Sequence, residues 1–445
     1  MQLTRREFAL GAVLAATSAC GSRTSAGPRP AVPSLAIPDP ARALDPLAER
    51  YVRLVLGLGR HDPDYVDAYY GPPAWKREAD AEAAPLVRIA EGAAALEASL
   101  AASFEPTDPL LKLRRRYLAR QTAALSARVA MLSGKRRSFD DESEGLYDAR
   151  VPARDDAEFE AVHAELARHL PGTGSLTERL DRFRDDFVIP TARLRPVFEA
   201  AIAEARRRTE RHLALPQGES LALEFVTHQS WSGYNWYLGD AKSKVQINTD
   251  LPIFAIRAID VASHESYPGH HVYNALLEQH LVRARGFVEL SVYALYSPQS
   301  LIAEGSANYG VELAFPDRAA FLRDVLLPIA GLRASEAERY VAVEELDQRL
   351  GYVDIEAARR LLDGRLTRAG ARAYLIRHGL TAPARADKFL DRVEVSRSYV
   401  INYSYGRDLV AAWVARQPGA AERHDARWAA FRDLLASPRL PADLR

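Results

Sequence analysis

From about residue 41 to the end of the chain, apolar side chains recur at three- and four-residue spacing. This periodicity limits the fold more than any other feature. It runs through 45–59, 76–102, 109–132 and 155–168, and residues spaced this way share one face of a helix. Residues 176–215 read as two helices broken near Pro190, with Thr191 as the second N-cap. Further helical stretches follow at 299–312, 317–332, 334–347, 353–365, 368–377, 383–397 and 405–415. The texture changes only at 226–256, where aromatics, glycines and a β-like run from Ser243 to Asn248 predict a small sheet. Helix resumes near 257. The expectation is a mainly α fold, one large domain over 41–445 or two helical lobes around a cleft. Residues 137–155 lack the pattern and read as a lobe boundary or a long surface loop.

Charge narrows the function classes. Lys+Arg and Asp+Glu both number 59 in the 445 residues, so composition offers no sign of a nucleic-acid partner. Cys20 is the only cysteine, which excludes disulfides within the domain and leaves His, Asp and Glu as metal ligands. It closes the segment MQLTRREFALGAVLAATSAC, in which Arg5 and Arg6 precede an apolar run from Phe8 to Ala16. That run is too short for a bilayer, which needs about 20 apolar residues, and it reads as an export signal over 1–20. TRREF resembles a twin-arginine signal. LAATSAC resembles a lipoprotein cleavage site, with Thr17 where an aliphatic residue is commoner. Lipid attachment through Cys20 is therefore one reading, and a cleaved signal with an incidental cysteine is the other. Small residues and prolines make 21–40 a tether. The mature chain carries no transmembrane pattern, and nothing in it points to an obligate protein partner.

The chemistry centres on residues 263–271, SHESYPGHH. Two histidines four apart on a helix bind zinc, and a glutamate beside the first activates water. Here the four-apart position is Pro268. His270 and His271 stand six and seven residues after His264, and neither meets it on an unbroken helix: six steps turn off the face, and seven rise about 10.5 Å. Pro268-Gly269 can break the ladder and return a later histidine to His264. A metal site and a chance histidine cluster both remain open on spacing alone.

The segment HESYPGHH resembles the H-E-x-x-P-G-H motif of the DUF885 family of bacterial proteins, which is related to the gluzincin metallopeptidases. His264, Glu265, Pro268, Gly269 and His270 match. Downstream, SLIAEGSANYG resembles the family's E-G-x-A element through Glu304, Gly305 and Ala307. VEVSRSYVINYSYG resembles its E-V-x-R segment and following tyrosine through Glu394, Val395, Arg397, Tyr403 and Gly406, without the usual proline-containing insert. The resemblance implies a helical metallopeptidase-like domain with a small β-sheet beside the active-site helix. It implies one Zn2+ per chain held by His264, His270 (or His271) and Glu304, with Asn308 orienting a ligand. Glu265 is the implied general base. Tyr403, or next Tyr405, is the oxyanion donor, and Arg397 either grips the intermediate or a substrate carboxylate or forms a structural ion pair. Lys244, Val245, Gln246, Ile247 and Asn248 are the implied edge strand for a peptide substrate, with Trp231, Tyr234, Trp236 and Tyr237 near its subsites. The function implied is hydrolysis of peptides in the cell envelope. A hydrolase of a non-peptide amide or ester shares the same core. A non-catalytic binding lipoprotein has no need of Glu265.

Overall fold

A computed structural model of the chain describes residues 42–229 and 231–445; the segments read above as an export signal (1–20, with Cys20) and a tether (21–40) lie outside the described residues. The elements begin with α1 (Asp45–Leu58), β1 (Val66–Tyr69), α2 (Pro73–Glu82), α3 (Leu86–Ala102), α4 (Pro109–Leu132) and α5 (Phe139–Tyr147). Next come α6 (Asp156–His169), α7 (Leu176–Asp185), α8 (Leu194–Glu210), β2 (Ser220–Val226), β3 (Gly233–Gly239) and β4 (Lys242–Asn248). The motif lies on α9 (Ala255–Glu265) and α10 (His270–Leu277), followed by β5 (Val292–Ala294) and α11 (Pro298–Ala314). The remainder is α12 (Arg318–Phe321), α13 (Leu327–Ala330), α14 (Ala337–Gln348), α15 (Gly351–Leu362), α16 (Arg368–His378), α17 (Pro383–Ser396), α18 (Ile401–Ala415) and α19 (His424–Leu435). The fold is mainly α with two small sheets, and no helix among the described residues is long and apolar enough to cross a membrane.

Local chemistry explains where the elements depart from the periodicity. The stretch 76–102 is two helices, because Ala83 turns left-handed (φ 47°) and Pro85 lacks the N–H to continue the ladder. Thr191 opens a short 3-10 turn, Thr191–Arg193, that leads into α8, and makes no side-chain cap. Residues 137–155 are not a loop throughout. They hold α5, whose N-cap Ser138 accepts from the Asp141 N–H at 3.2 Å and whose first turn carries Asp140, Asp141 and Glu142.

α11 is the hub. It is buried on nearly every face, as a helix must be when apolar and small residues occupy all its sides. Gly305 lets it meet α18 backbone to backbone: a Cβ there would stand 2.5 Å from the Gly406 carbonyl carbon. Gly310 likewise admits the Pro268 ring, which a Cβ would meet at 2.9 Å. Elsewhere in the core a bidentate ion pair is wholly buried: Arg114 of α4 meets Glu289, just before β5, at 2.7 and 3.0 Å.

In the larger sheet the strand order is β2-β4-β3. β2 runs parallel to β4 (Val226↔Asn248) and β3 runs antiparallel to it (Gly233↔Ile247). Alternation puts Ser243, Val245 and Ile247 inside while Lys244, Gln246 and Asn248 are only partly covered. The smaller sheet pairs β1 with β5 antiparallel, and its register slips between Val66 and Ala68, so that Asp67 occupies a bulge.

Candidate metal centre

α9 ends on His264 and Glu265. The chain then leaves helical geometry at Ser266 and passes a cis Tyr267–Pro268 bond. The Gly269 N–H closes the turn by donating to the Ser263 carbonyl at 3.0 Å, and α10 starts at His270. Because the helix is interrupted, the six-residue step no longer rotates His270 off the face of His264. Their Nε2 atoms stand 3.1 Å apart with the rings at 88°. Gly269 is the residue that permits this, since a Cβ would lie 1.9 Å from the His264 carbonyl oxygen.

α11 brings Glu304 against both imidazoles. Its Oε2 lies 3.2 Å from His264 Nε2 and 3.8 Å from His270 Nε2. Donors about 2.0–2.1 Å from a tetrahedral zinc stand about 3.3 Å apart, so a triangle of this size suits one. The same Oε2 is buried and has no hydrogen-bond partner, an orphan that a cation would satisfy. Glu304 Oε1 is held by the Tyr399 phenol at 2.8 Å. Asn308, one turn along α11, presents Oδ1 to His264 Nδ1 at 3.0 Å. An amide oxygen only accepts, so Nδ1 carries the proton and Nε2 turns its lone pair to the centre. Burial alone would raise Glu304, but the two imidazoles beside it hold it well below the usual carboxylate range.

Glu265 shares the centre with the two histidines. One ligand atom from each of His264, Glu265 and His270 lies within 4.8 Å of the others, so these three also form a group that could hold a metal ion. Glu304 offers a second carboxylate oxygen in reach of both imidazoles, and that oxygen is unpartnered. Burial pushes the Glu265 carboxyl up to about 7, with Glu304 adding to the rise and His264 opposing it. The Glu265 main-chain carbonyl is held by Asn235 Nδ2 at 2.6 Å. Tyr403 lies close enough to feel Glu304 and Glu265. Burial first, then those charges, raise its phenol well above 10 against the pull of Arg392, so it keeps its proton as a donor.

The structure thus gathers His264, Glu265, His270, Glu304, Asn308 and Tyr403, and takes four other candidates elsewhere. His271 points away from the centre; its ring nitrogens are engaged by Ser243 Oγ and Glu219 Oε2, each at 2.8 Å, leaving none for an ion. Arg397 places Nε on the buried Glu142 at 2.6 Å, which makes the ion pair structural. Tyr405 sits two residues from Tyr403, so it projects from another side of α18, within reach of the Arg445 charge. The segment Lys244–Asn248 is the central strand, with β2 and β3 occupying both its edges, and cannot accept a further strand. The edge strand beside the centre is β3, where Gly233 packs against Val261 and Glu265. Trp231, Tyr234 and Trp236 lie in contact along it, with ring centroids 5.6 and 4.7 Å apart, whereas Tyr237 turns inward onto the buried Glu278.

Three contributors escaped the sequence reading. Tyr399 stood among competing tyrosines. Asn235 lay in an aromatic stretch without a motif. Asp67, on the β1 bulge, accepts from the Tyr234 phenol, and its charge is felt by Glu265 and Tyr403. Only tertiary pairing brings them in, and no local signal announces it.

No protein-family profile matches this chain, and no curated protein does. A candidate lipoprotein from Colwellia psychrerythraea is 14% identical over 81% of this chain and 72% of its own length, with a TM-score of 0.47. A candidate lipoprotein of unknown function from Shewanella oneidensis is 13% identical over 81% and 76%, with a TM-score of 0.44. Neither likeness is close enough to bear on fold or chemistry.

Proposed function

We propose that this protein is a zinc-dependent peptidase of the cell envelope, of the DUF885 type. The observation that carries the reading is the triangle of His264 Nε2, His270 Nε2 and the orphaned Glu304 Oε2, with Glu265 beside it. These three residues would hold the ion; two imidazoles and a carboxylate suit zinc, and manganese or iron would use a similar set. When bound, the ion supplies Lewis acidity and acidifies a water. Glu265 accepts the proton of the attacking water and returns it to the leaving amine. The protonated Tyr403 phenol donates to the oxygen on which negative charge gathers. β3, an edge strand at the centre, offers an extended substrate main-chain pairing, which favours a peptide. The Arg5-Arg6 segment and Cys20 support an exported, lipid-attached address.

The test is metal content per chain together with cleavage of a peptide library by wild type and Glu265→Gln. The reading expects about one zinc per chain and cleavage lost in Glu265→Gln. A folded wild type that takes up neither zinc nor manganese overturns the metal site. A loaded protein that cleaves esters or other amides but no peptide overturns the substrate.

A further inference from the structure

The separation of His264 from His270 is set by a turn, and a turn of this kind needs something to hold its far side. Tyr267 and His271 flank Pro268, Gly269 and His270. Both reach the same oxygen of one carboxylate: the Tyr267 phenol donates to Glu219 Oε2 at 2.7 Å, and His271 Nε2 meets it at 2.8 Å. Glu219 stands immediately before β2, its side chain 3% exposed, and its other oxygen pairs with Arg206 of α8 at 2.5 Å. The other ring nitrogen of His271 continues the chain. Ser243 Oγ of β4 lies 2.8 Å from it and donates to Asn235 Oδ1 of β3 at 3.2 Å. Asn235 in turn donates to the Glu265 carbonyl at 2.6 Å. A continuous buried path therefore joins the end of α9 to the start of α10 through β3, β4 and the residue that precedes β2.

We propose that Glu219 is the positioning residue of the metal centre: by clamping Tyr267 and His271 it fixes His270 against His264, and the sheet serves as the jig for the site. The clamp rests on the metal-centre reading above and deepens it. Glu219 touches no reacting atom. Its effect passes through His270, so its loss should be felt as poorer metal binding and altered ligand geometry before any loss of fold. One carboxylate oxygen receiving two donors also explains why the residues on either side of the turn are a tyrosine and a histidine. An apolar pair there would leave Glu219 buried without either bond.

The experiment compares wild type, Glu219→Ala, Glu219→Gln and Ser243→Ala by zinc affinity in competition with a chromophoric chelator. Cobalt(II) is then bound to each variant and its visible absorption recorded as a report on ligand geometry. Glu219→Ala should bind zinc roughly 10–100-fold more weakly, the range for loss of a group that orients a ligand, and its cobalt spectrum should change. Glu219→Gln keeps an oxygen for both donors and should recover most of the affinity. Ser243→Ala, which cuts the path without stranding a charge, should fall between them and carries the test if Glu219→Ala does not fold. Glu289→Ala, which breaks a buried ion pair elsewhere, serves as the control that loses stability and keeps wild-type affinity and spectrum. A folded Glu219→Ala with wild-type affinity and spectrum overturns the clamp while leaving the metal centre standing. A Glu289→Ala protein that loses as much affinity as Glu219→Ala also overturns it, because general destabilisation would then explain the effect. A wild type that binds neither zinc nor cobalt overturns the metal centre itself.

Discussion

At the scale of single residues, the neighbouring histidines differ in what they face. His270 looks into the triangle, and His271 looks into the sheet with both nitrogens engaged. His270→Ala should therefore abolish stoichiometric zinc, as should His264→Ala and Glu304→Ala. His271→Ala should retain zinc, although more weakly, and lose about 1–3 kcal/mol of stability for the bonds removed from buried Glu219 and Ser243. Metal analysis and denaturant unfolding on the same preparations check this. Loss of stoichiometric zinc from His271→Ala and not from His270→Ala would reverse the assignment. Glu265→Gln keeps the shape of the side chain and removes its basicity. It should keep the metal and lower kcat by about 10²–10⁴-fold, the usual worth of a positioned acid–base group. Steady-state kinetics on the metal-loaded variant decide it. Asn308→Ala removes the acceptor that sets the His264 tautomer, and zinc affinity should fall about 10–100-fold in chelator competition.

At the scale of elements, glycine decides how closely backbones approach. A Cβ at Gly269 would collide with main chain rather than with the end of a side chain, so no rotamer change relieves it. Gly269→Ala should cost about 3 kcal/mol or more, beyond ordinary overpacking, and should separate the two imidazoles. Calorimetry and zinc titration together should show both losses, and a stable, zinc-replete alanine variant would contradict the turn described here. This is also where reading from sequence succeeded and where it stopped. Pro268-Gly269 announced an interrupted helix, because a ring without an N–H and a residue without a Cβ are local facts. The strand at 243–248 was legible through its alternation. Its place at the centre of the sheet was not, because alternation reports which side chains are inside and says nothing about which strand lies alongside. β2 was missed for a related reason: although Pro216 and Gly218 set LALEFV off from the helix before it, the segment is short, and only pairing with β4 makes it a strand. Arg397 belonged to a motif, but its partner Glu142 lies 255 residues away in a helix whose existence was itself hidden. Long-range pairing is the part of the fold that periodicity cannot carry.

At the scale of the whole molecule, the centre joins elements that the chain order keeps apart. His264 and His270 come from one broken helix, and Glu304 comes from α11, the buried hub that meets α18 through Gly305 and Gly406. With Cys20 the only cysteine, no disulfide shares the work of holding these helices. An ion bound to the folded centre and not to the unfolded chain adds its binding free energy to the stability of the entire unit. At a free zinc concentration about a thousandfold above Kd this is roughly 4 kcal/mol. Unfolding entropy of about 2.1 cal/mol/K per residue, over about 400 residues, makes each kcal/mol worth about 1.2 °C. Chelation should therefore lower the melting temperature of wild type by about 5 °C, and restored zinc should return it. His264→Ala should melt at one temperature with or without zinc. If wild type also melts identically in both conditions, no ion links α9 and α10 to α11, and the orphaned oxygen of Glu304 needs another explanation. If the shift appears in wild type and in His264→Ala alike, zinc acts at some other place on the surface. A shift confined to chains with the intact triangle would tie the stability of the fold to the same three side chains that the proposed chemistry uses.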